Sequence, residues 1–195
     1  MSDAFRILAA LAIAGSLAAC SEKADQAPSQ GPVPAAAGNP AATAPAAAPG
    51  MKLQPATETP EVIAAALTGG VCSVENVVTV PDEAASPGDR PNTYKASRDK
   101  GYRLVGFVVN KDRGVVPQNV ELLLSGISSY RVPVQTGRPR GDVADYFKNP
   151  AFAKAGYMVD VAFTDVQPGD YALYFVEGEG NARSYCATNQ SITIH

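Results

Sequence analysis

The chain has 195 residues, 46% hydrophobic and 18% charged, with 16 prolines, 17 glycines, three cysteines and no tryptophan, which suits one ordinary domain plus additional segments. Its single histidine is His195, so mechanisms built on a buried imidazole base, a His–Cys pair or several histidine metal ligands lack their residues. A formal net charge of −3 argues against nucleic acid as a partner, because binding by counterion release needs a concentrated basic surface.

Residues 1–19 read as an export signal. Met1 and Arg6 supply positive charge, and an apolar run follows from Ile7 to Leu17. That run is too short to cross a hydrocarbon core of roughly 30 Å as a stable helix, and it suits the apolar region of a signal peptide. The next residues, Leu17-Ala18-Ala19-Cys20, resemble the lipobox of bacterial lipoproteins. The resemblance implies cleavage before Cys20 and acylation of its thiol. Several acyl chains make a stable membrane anchor, since each buried methylene contributes about 0.8 kcal/mol. Ser21 in place of aspartate implies, by the enterobacterial sorting rule, delivery to the outer membrane, where the domain is expected to face the periplasm, with the cell surface as the alternative. The alternative is a plain secretory signal in which Leu17-Ala18-Ala19 meets a small-residue cleavage rule and Cys20 is incidental.

Residues 20–56 read as a tether. The stretch 21–60 holds eight of the 16 prolines and no aromatic residue. It buries too little apolar area to offset its chain entropy, which predicts a disordered or polyproline-like spacer. At about 3.1 Å per residue it reaches on the order of 100 Å from the membrane. A proline-rich ligand for a partner is the alternative, although aromatic or basic flanks are lacking. A short helix is predicted next, with Thr59 as cap, Pro60 in the first turn and an apolar run to Leu67 before Gly69-Gly70. It is expected to lie on the edge of a folded domain spanning 57–195.

That domain reads as all-β. Short apolar runs at 71–80, 102–110, 119–125, 129–134, 157–164, 170–177, 184–187 and 191–195 alternate with turn clusters, the pattern of a β-sandwich of seven or eight strands. Tyr157, Val159, Val161 and Phe163 fall on one face of their strand, as do Val120, Leu122 and Leu124, and Tyr171, Leu173 and Phe175. Pro168-Gly169 forces a turn, after which the Tyr171 hydroxyl can reach back to the preceding backbone. This resembles the tyrosine corner of immunoglobulin-like (Ig-like) sandwiches. Leu173 stands where antibody domains carry a cysteine, and the core tryptophan is missing, so the antibody variant is excluded.

Two short helices interrupt the β pattern, one over 141–147 with Asp142 as cap and one over 151–155, and both are predicted to cross between sheets. The ordered series Arg138-Pro139-Arg140-Gly141-Asp142-Val143-Ala144, Phe147-Lys148-Asn149-Pro150-Ala151, Ala155-Gly156-Tyr157 and Pro168-Gly169-Asp170-Tyr171 resembles a small Ig-like module. That module recurs in bacterial envelope proteins and in the tails of some glycosyltransferases. The match covers about residues 102–177, and the insertion of Arg140-Gly141 departs from the module's pattern. The resemblance implies a fold and an envelope setting and carries no catalytic role. Arg138, Arg140 and Asp142 read either as a loop held by a cap and a salt bridge, or as a site where paired guanidinium donors meet an anionic glycan or lipid headgroup.

With Cys20 lipidated, Cys72 and Cys186 remain for a disulfide in an oxidising compartment. The alternative of two free redox thiols lacks a Cys-x-x-Cys spacing and a basic cluster. No nucleophile stands out. Ser125, Ser128 and Ser129 have no imidazole base, and the carboxylate pairs Asp82-Glu83 and Glu177 with Glu179 fall in predicted loops. No enzyme activity and no cofactor or metal are expected. The connection 81–101, with Arg90, Tyr94 and Arg98, reads as a binding loop, a disordered loop or an unrecognised strand. The expectation is therefore a lipid-anchored envelope protein displaying a non-catalytic Ig-like domain to an envelope protein or glycan. The alternative is an accessory subunit or enzyme of envelope polysaccharide assembly or export.

Overall fold

A computed structural model describes residues 50–68 and 70–195. The signal segment, Cys20 and the spacer up to residue 49 lie outside the described residues. Ten strands are present among them: β1 (Met51–Lys52), β2 (Gln54–Ala56), β3 (Val71–Val80), β4 (Thr93–Ala96), β5 (Gly101–Val109), β6 (Asn119–Ser125), β7 (Ser129–Arg138), β8 (Gly156–Ala162), β9 (Gly169–Glu177) and β10 (Ser184–Ile194). Helix α1 (Pro60–Ala65) precedes β3, and α2 (Gly141–Phe147) with a 3-10 turn (Pro150–Lys154) joins β7 to β8.

The strands hydrogen-bond in the order β3-β5-β8-β7-β6-β9-β10-β4, so the all-β domain is a single sheet that nearly closes into a barrel. β7 turns the corner. Through Gln135 it pairs with β6, and at Thr136 and Arg138 it pairs with β8. The register shifts at Gly137, whose φ of 127° is a conformation few side-chain-bearing residues adopt.

The alternating residues meet inside this sheet. Tyr157, Val159, Val161 and Phe163 share one buried cluster with Val120, Leu122, Leu124, Tyr171, Leu173 and Phe175. Burying a large apolar side chain of this kind contributes about 1.5–3 kcal/mol. The outer face of the central strands is apolar too, because α1 covers it: Ile63 packs with Leu123, Val176 and Tyr185. Thr59 caps α1 by accepting from the Val62 amide, and Pro60 opens the helix. At the β8–β9 corner, Tyr171 Oη donates to Gln167 O at 2.7 Å, and the Tyr171 ring meets Tyr130 edge-on at 5.9 Å. Pro168 and Gly169 lead the chain through that turn into β9.

The structure corrects two expectations and decides between the alternatives for a third segment. Residues 51–56, assigned by composition to the spacer, form β1 and β2, paired in parallel to β8 and antiparallel to β7. The cause is local: Met51-Lys52-Leu53 breaks the Ala/Pro pattern, and Leu53 enters the main core. Residues Ser184–Ile194, expected as two strands, form one continuous strand, with a register irregularity between Ala187 and Ser191, where Asn189 takes a φ of 58°. Of the readings open for the connection 81–101, the unrecognised strand is the one present, and it lies where the barrel closes. The connection contains β4, which runs parallel to β10, and its residues 84–88 lie between β3 and β4. There the Ser86 amide donates to Val77 O at 2.9 Å and the Lys95 amide to Ser86 O at 3.1 Å.

β3 and β10 meet at the remaining seam. Cys72 and Cys186 form a disulfide across it, with Cα atoms 6.2 Å apart and a sequence separation of 114. Gln190 lies further along the same seam. Its Oε1 accepts from the Val74 amide at 2.7 Å and its Nε2 donates to Val74 O. Replacing both cysteines by serine is expected to lower the unfolding free energy by about 2–5 kcal/mol in urea titrations, because the bridge constrains a long loop of the unfolded chain. A loss below about 1 kcal/mol would mean that the polar contacts alone hold the seam.

Candidate binding groove

The site begins with an irregularity in β3. Val74 pairs with Gly106 and Asn76 with Val105, which leaves Glu75 unopposed in a bulge. A bulge bends its strand and re-aims the extra side chain, and it also leaves backbone groups without ladder partners. Side chains satisfy them here. Ser73 O accepts from Tyr157 Oη at 3.0 Å, and Val74 O accepts from Tyr94 Oη at 2.5 Å as well as from Gln190. Only glycine fits at position 106, since a Cβ there would stand 2.8 Å from Tyr157 Oη and closer still to Ser73 O. Burial first, and then the charge of Glu75, hold the Tyr157 phenol well above its usual range, so it remains a donor.

Glu75, turned outward, meets Arg140 just before α2. Arg140 Nη1 and Nη2 donate to the Glu75 carboxylate at 2.7 and 2.9 Å, while Nε and Nη2 donate to Asp142 at 2.8 and 2.7 Å. The guanidinium also lies 5.1 Å from the centroid of the Phe107 ring. Its side chain is only 18% exposed, so this two-sided neutralisation is what permits its burial. Hydrogen bonding to Asp142, offset by desolvation and reinforced by Glu75, raises the Arg140 pKa further. The hydrogen bond from Arg140 pulls the Asp142 carboxyl down to about 2.

These residues form one wall of a groove of about 520 Å³. Phe107, Val71 and Val143 supply apolar surface, and Tyr146 and Phe147, the next turn of α2 after Asp142, complete the lining. Phe147 packs edge-on against Phe152 at 5.7 Å and supports Tyr146, whose ring meets it at 4.9 Å and is 81% exposed. A large aromatic this exposed is not a core residue, and its apolar face is available to a ligand.

Of the residues singled out in the sequence, Arg140 and Asp142 are brought together in this groove. Asp142 is not the cap of α2. Arg140 holds the cap position without a side-chain cap bond, and Asp142 sits within the first turn, drawn to the guanidinium. Arg138 lines a separate cleft with Arg103, Asp160 and Met158. The named residues of 81–101 have their own partners in the fold. Tyr94 is drawn into the seam by Val74 O, Arg98 Nη2 donates to Thr164 O at 2.8 Å, and Arg90 forms a tight turn with Thr93 through its backbone. An anion site at Arg140 is also disfavoured, because four hydrogen bonds to two carboxylates occupy its fork. The loop carboxylates are engaged as well: Glu83 pairs with Arg103, and Glu177 with Arg113 and Asn110.

Three residues of the groove escaped the sequence reading: Glu75, Phe107 and Tyr146. The available signals were the polar doublet Glu75-Asn76 inside an apolar strand and the adjacent aromatics Tyr146-Phe147 at the end of a seven-residue helix.

The folded-state pKa of Asp142 lies below its unfolded value of 3.8, so its pairing supports the fold above that value and is lost as pH falls from about 4 towards 2. By carbon NMR its carboxyl is expected to titrate near 2 in the native protein. In Arg140→Gln it is expected to return to the ordinary aspartate range; a midpoint unmoved by that substitution would refute the pairing. Compared with models of known protein families and with curated proteins, the chain matches none.

Proposed function

We propose that this protein is a bacterial envelope lipoprotein, anchored through acyl chains on Cys20, that displays a non-catalytic Ig-like β-domain as a binding module. The observation that carries the reading is the Cys72–Cys186 disulfide. Structural disulfides of this kind form and persist in oxidising compartments, which agrees with an export signal ending in Leu17-Ala18-Ala19-Cys20. The outer membrane is the destination that Ser21 favours, and the Ala/Pro-rich stretch between anchor and domain serves as a spacer.

The Ig-like assignment draws on the hydroxyl of Tyr171 returning to Gln167 O at the corner before β9, and on a core built from alternating residues of facing strands. The binding face is the groove beside α2, where an exposed aromatic and charged groups meet an apolar floor. An accessory role in envelope polysaccharide assembly is the second reading, favoured by the carboxylates and the exposed Tyr146 lining that groove.

Cells grown with a clickable fatty-acid analogue are expected to label the wild-type protein and to leave Cys20→Ala unlabelled, with the variant released from membranes. Undiminished labelling of the variant would defeat the anchoring assignment.

A further inference from the structure

We propose that the groove between α2 and β5 binds a neutral saccharide, with Tyr146 as the surface on which a sugar ring stacks and the outward lone pairs of Glu75 and Asp142 as acceptors for its hydroxyls. The inference rests on the reading of the domain as a binding module, and it is independent of where the chain is anchored.

Charge decides the ligand class first. Arg140 commits four of its five N–H donors to Glu75 and Asp142, so a phosphate, sulfate or uronate would meet two carboxylates and one remaining donor. Each carboxylate has about four lone-pair positions, and the bonds from Arg140 fill two on each. Glu75 and Asp142 are 41% and 68% exposed, so the remaining acceptors are open to a donor-rich ligand. Arg140 fixes both carboxylates in place, and ordering them in advance reduces the entropy that binding must overcome.

Shape decides next. Tyr146 stands at the rim, braced edge-on by Phe147, and faces solvent over most of its surface. A sugar ring has an apolar C–H face and a polar edge. Laid on Tyr146, it turns that edge towards Glu75 and Asp142 while the floor of Phe107 and Val143 excludes water from the apolar side. A lysine-rich peptide satisfies the charge pattern without using this two-faced geometry, and so serves as the competing outcome.

The test uses the full chain in a zwitterionic detergent without a sugar headgroup, passed over immobilised β-linked glucose trisaccharide, N-acetylglucosamine trisaccharide, polygalacturonate and oligolysine. Retention on a neutral trisaccharide is expected. Tyr146→Ala should weaken it about tenfold with the urea midpoint unchanged, since the side chain is exposed. Tyr146→Phe should retain binding, and Asp142→Ala should reduce it. No retention on either neutral sugar, retention confined to polygalacturonate or oligolysine, or equal retention by Tyr146→Ala would each overturn the proposal. Retention on oligolysine that depends on Tyr146 would leave the binding-module reading standing with another ligand. Saccharide binding by a chain that takes no acyl label would do the reverse, keeping this proposal and removing the anchor.

Discussion

The amide side chain of Gln190 stands in for a rung of the ladder that β3 and β10 do not share. Its oxygen takes the Val74 amide and its nitrogen reaches the Val74 carbonyl, which is the pairing a neighbouring strand would have made. Everything about the closure turns on this seam. Two strands that are both irregular at this level cannot run a regular ladder against each other. An open seam would also leave edges able to pair with other chains. The protein closes it by three unlike devices in succession: the Cys72–Cys186 bridge, the Gln190 clamp with Tyr94, and the inserted backbone of residues 84–88. Covalent, side-chain and main-chain links each cover a stretch that the others cannot.

The irregularity that creates the need for the clamp also creates the groove. Because the β3 bulge puts an extra residue into the strand, Glu75 leaves the ladder and points to Arg140, while the backbone it distorts is repaid by Tyr94, Tyr157 and Gln190 from three other strands. Gly106 lets the Tyr157 hydroxyl approach, and Arg140 then ties Glu75 to the start of α2 through Asp142. The position of the acidic wall is therefore set by the closed sheet, although α2 sits outside the main core in its own small cluster with Phe152 and Val109. A charge network held this way ties the first turn of the short helix to β3, and Tyr146 follows one turn later on the same helix. Such an arrangement favours recognition by preset acceptors over an adaptable fit.

What could be read in the sequence was what is local. The bounds of β3 and β6 coincide with apolar runs, the inward faces of β8 and β9 follow strict alternation, and Thr59-Pro60 marks the start of α1 through capping chemistry that needs no distant partner. Cysteine count and compartment pointed to the Cys72–Cys186 pair, which is present. The misses share a different property. β1 and β2 are too short to display a period, and they exist because β7 and β8 offer them an edge. β4 is a parallel partner of a strand about a hundred residues away, and nothing within Thr93–Ala96 announces β10. Asp142 has the chemistry of a cap, yet a guanidinium two residues earlier outcompetes the backbone amides for its carboxylate. Glu75 becomes part of a site only through its non-local partner Arg140, which nothing within 71–80 announces.

The same logic explains how the domain is fastened to the segment that precedes it. Leu53 sits in the main core, Glu58 O accepts from Ser129 Oγ at 2.7 Å, and the buried Glu58 carboxylate pairs with Arg183 and lies 3.9 Å from Arg131. A buried ion pair offsets much of its own attraction by desolvation, so its net contribution to stability is small. Its directional requirement is strict, however, because removing one partner strands the other charge. An apolar residue at position 58 would tolerate a shifted register of β2 on β7, whereas a carboxylate that must find Arg183 admits one. Hydrophobic burial of Leu53 and Ile63 thus supplies the adhesion of this strap, and Glu58 supplies its alignment.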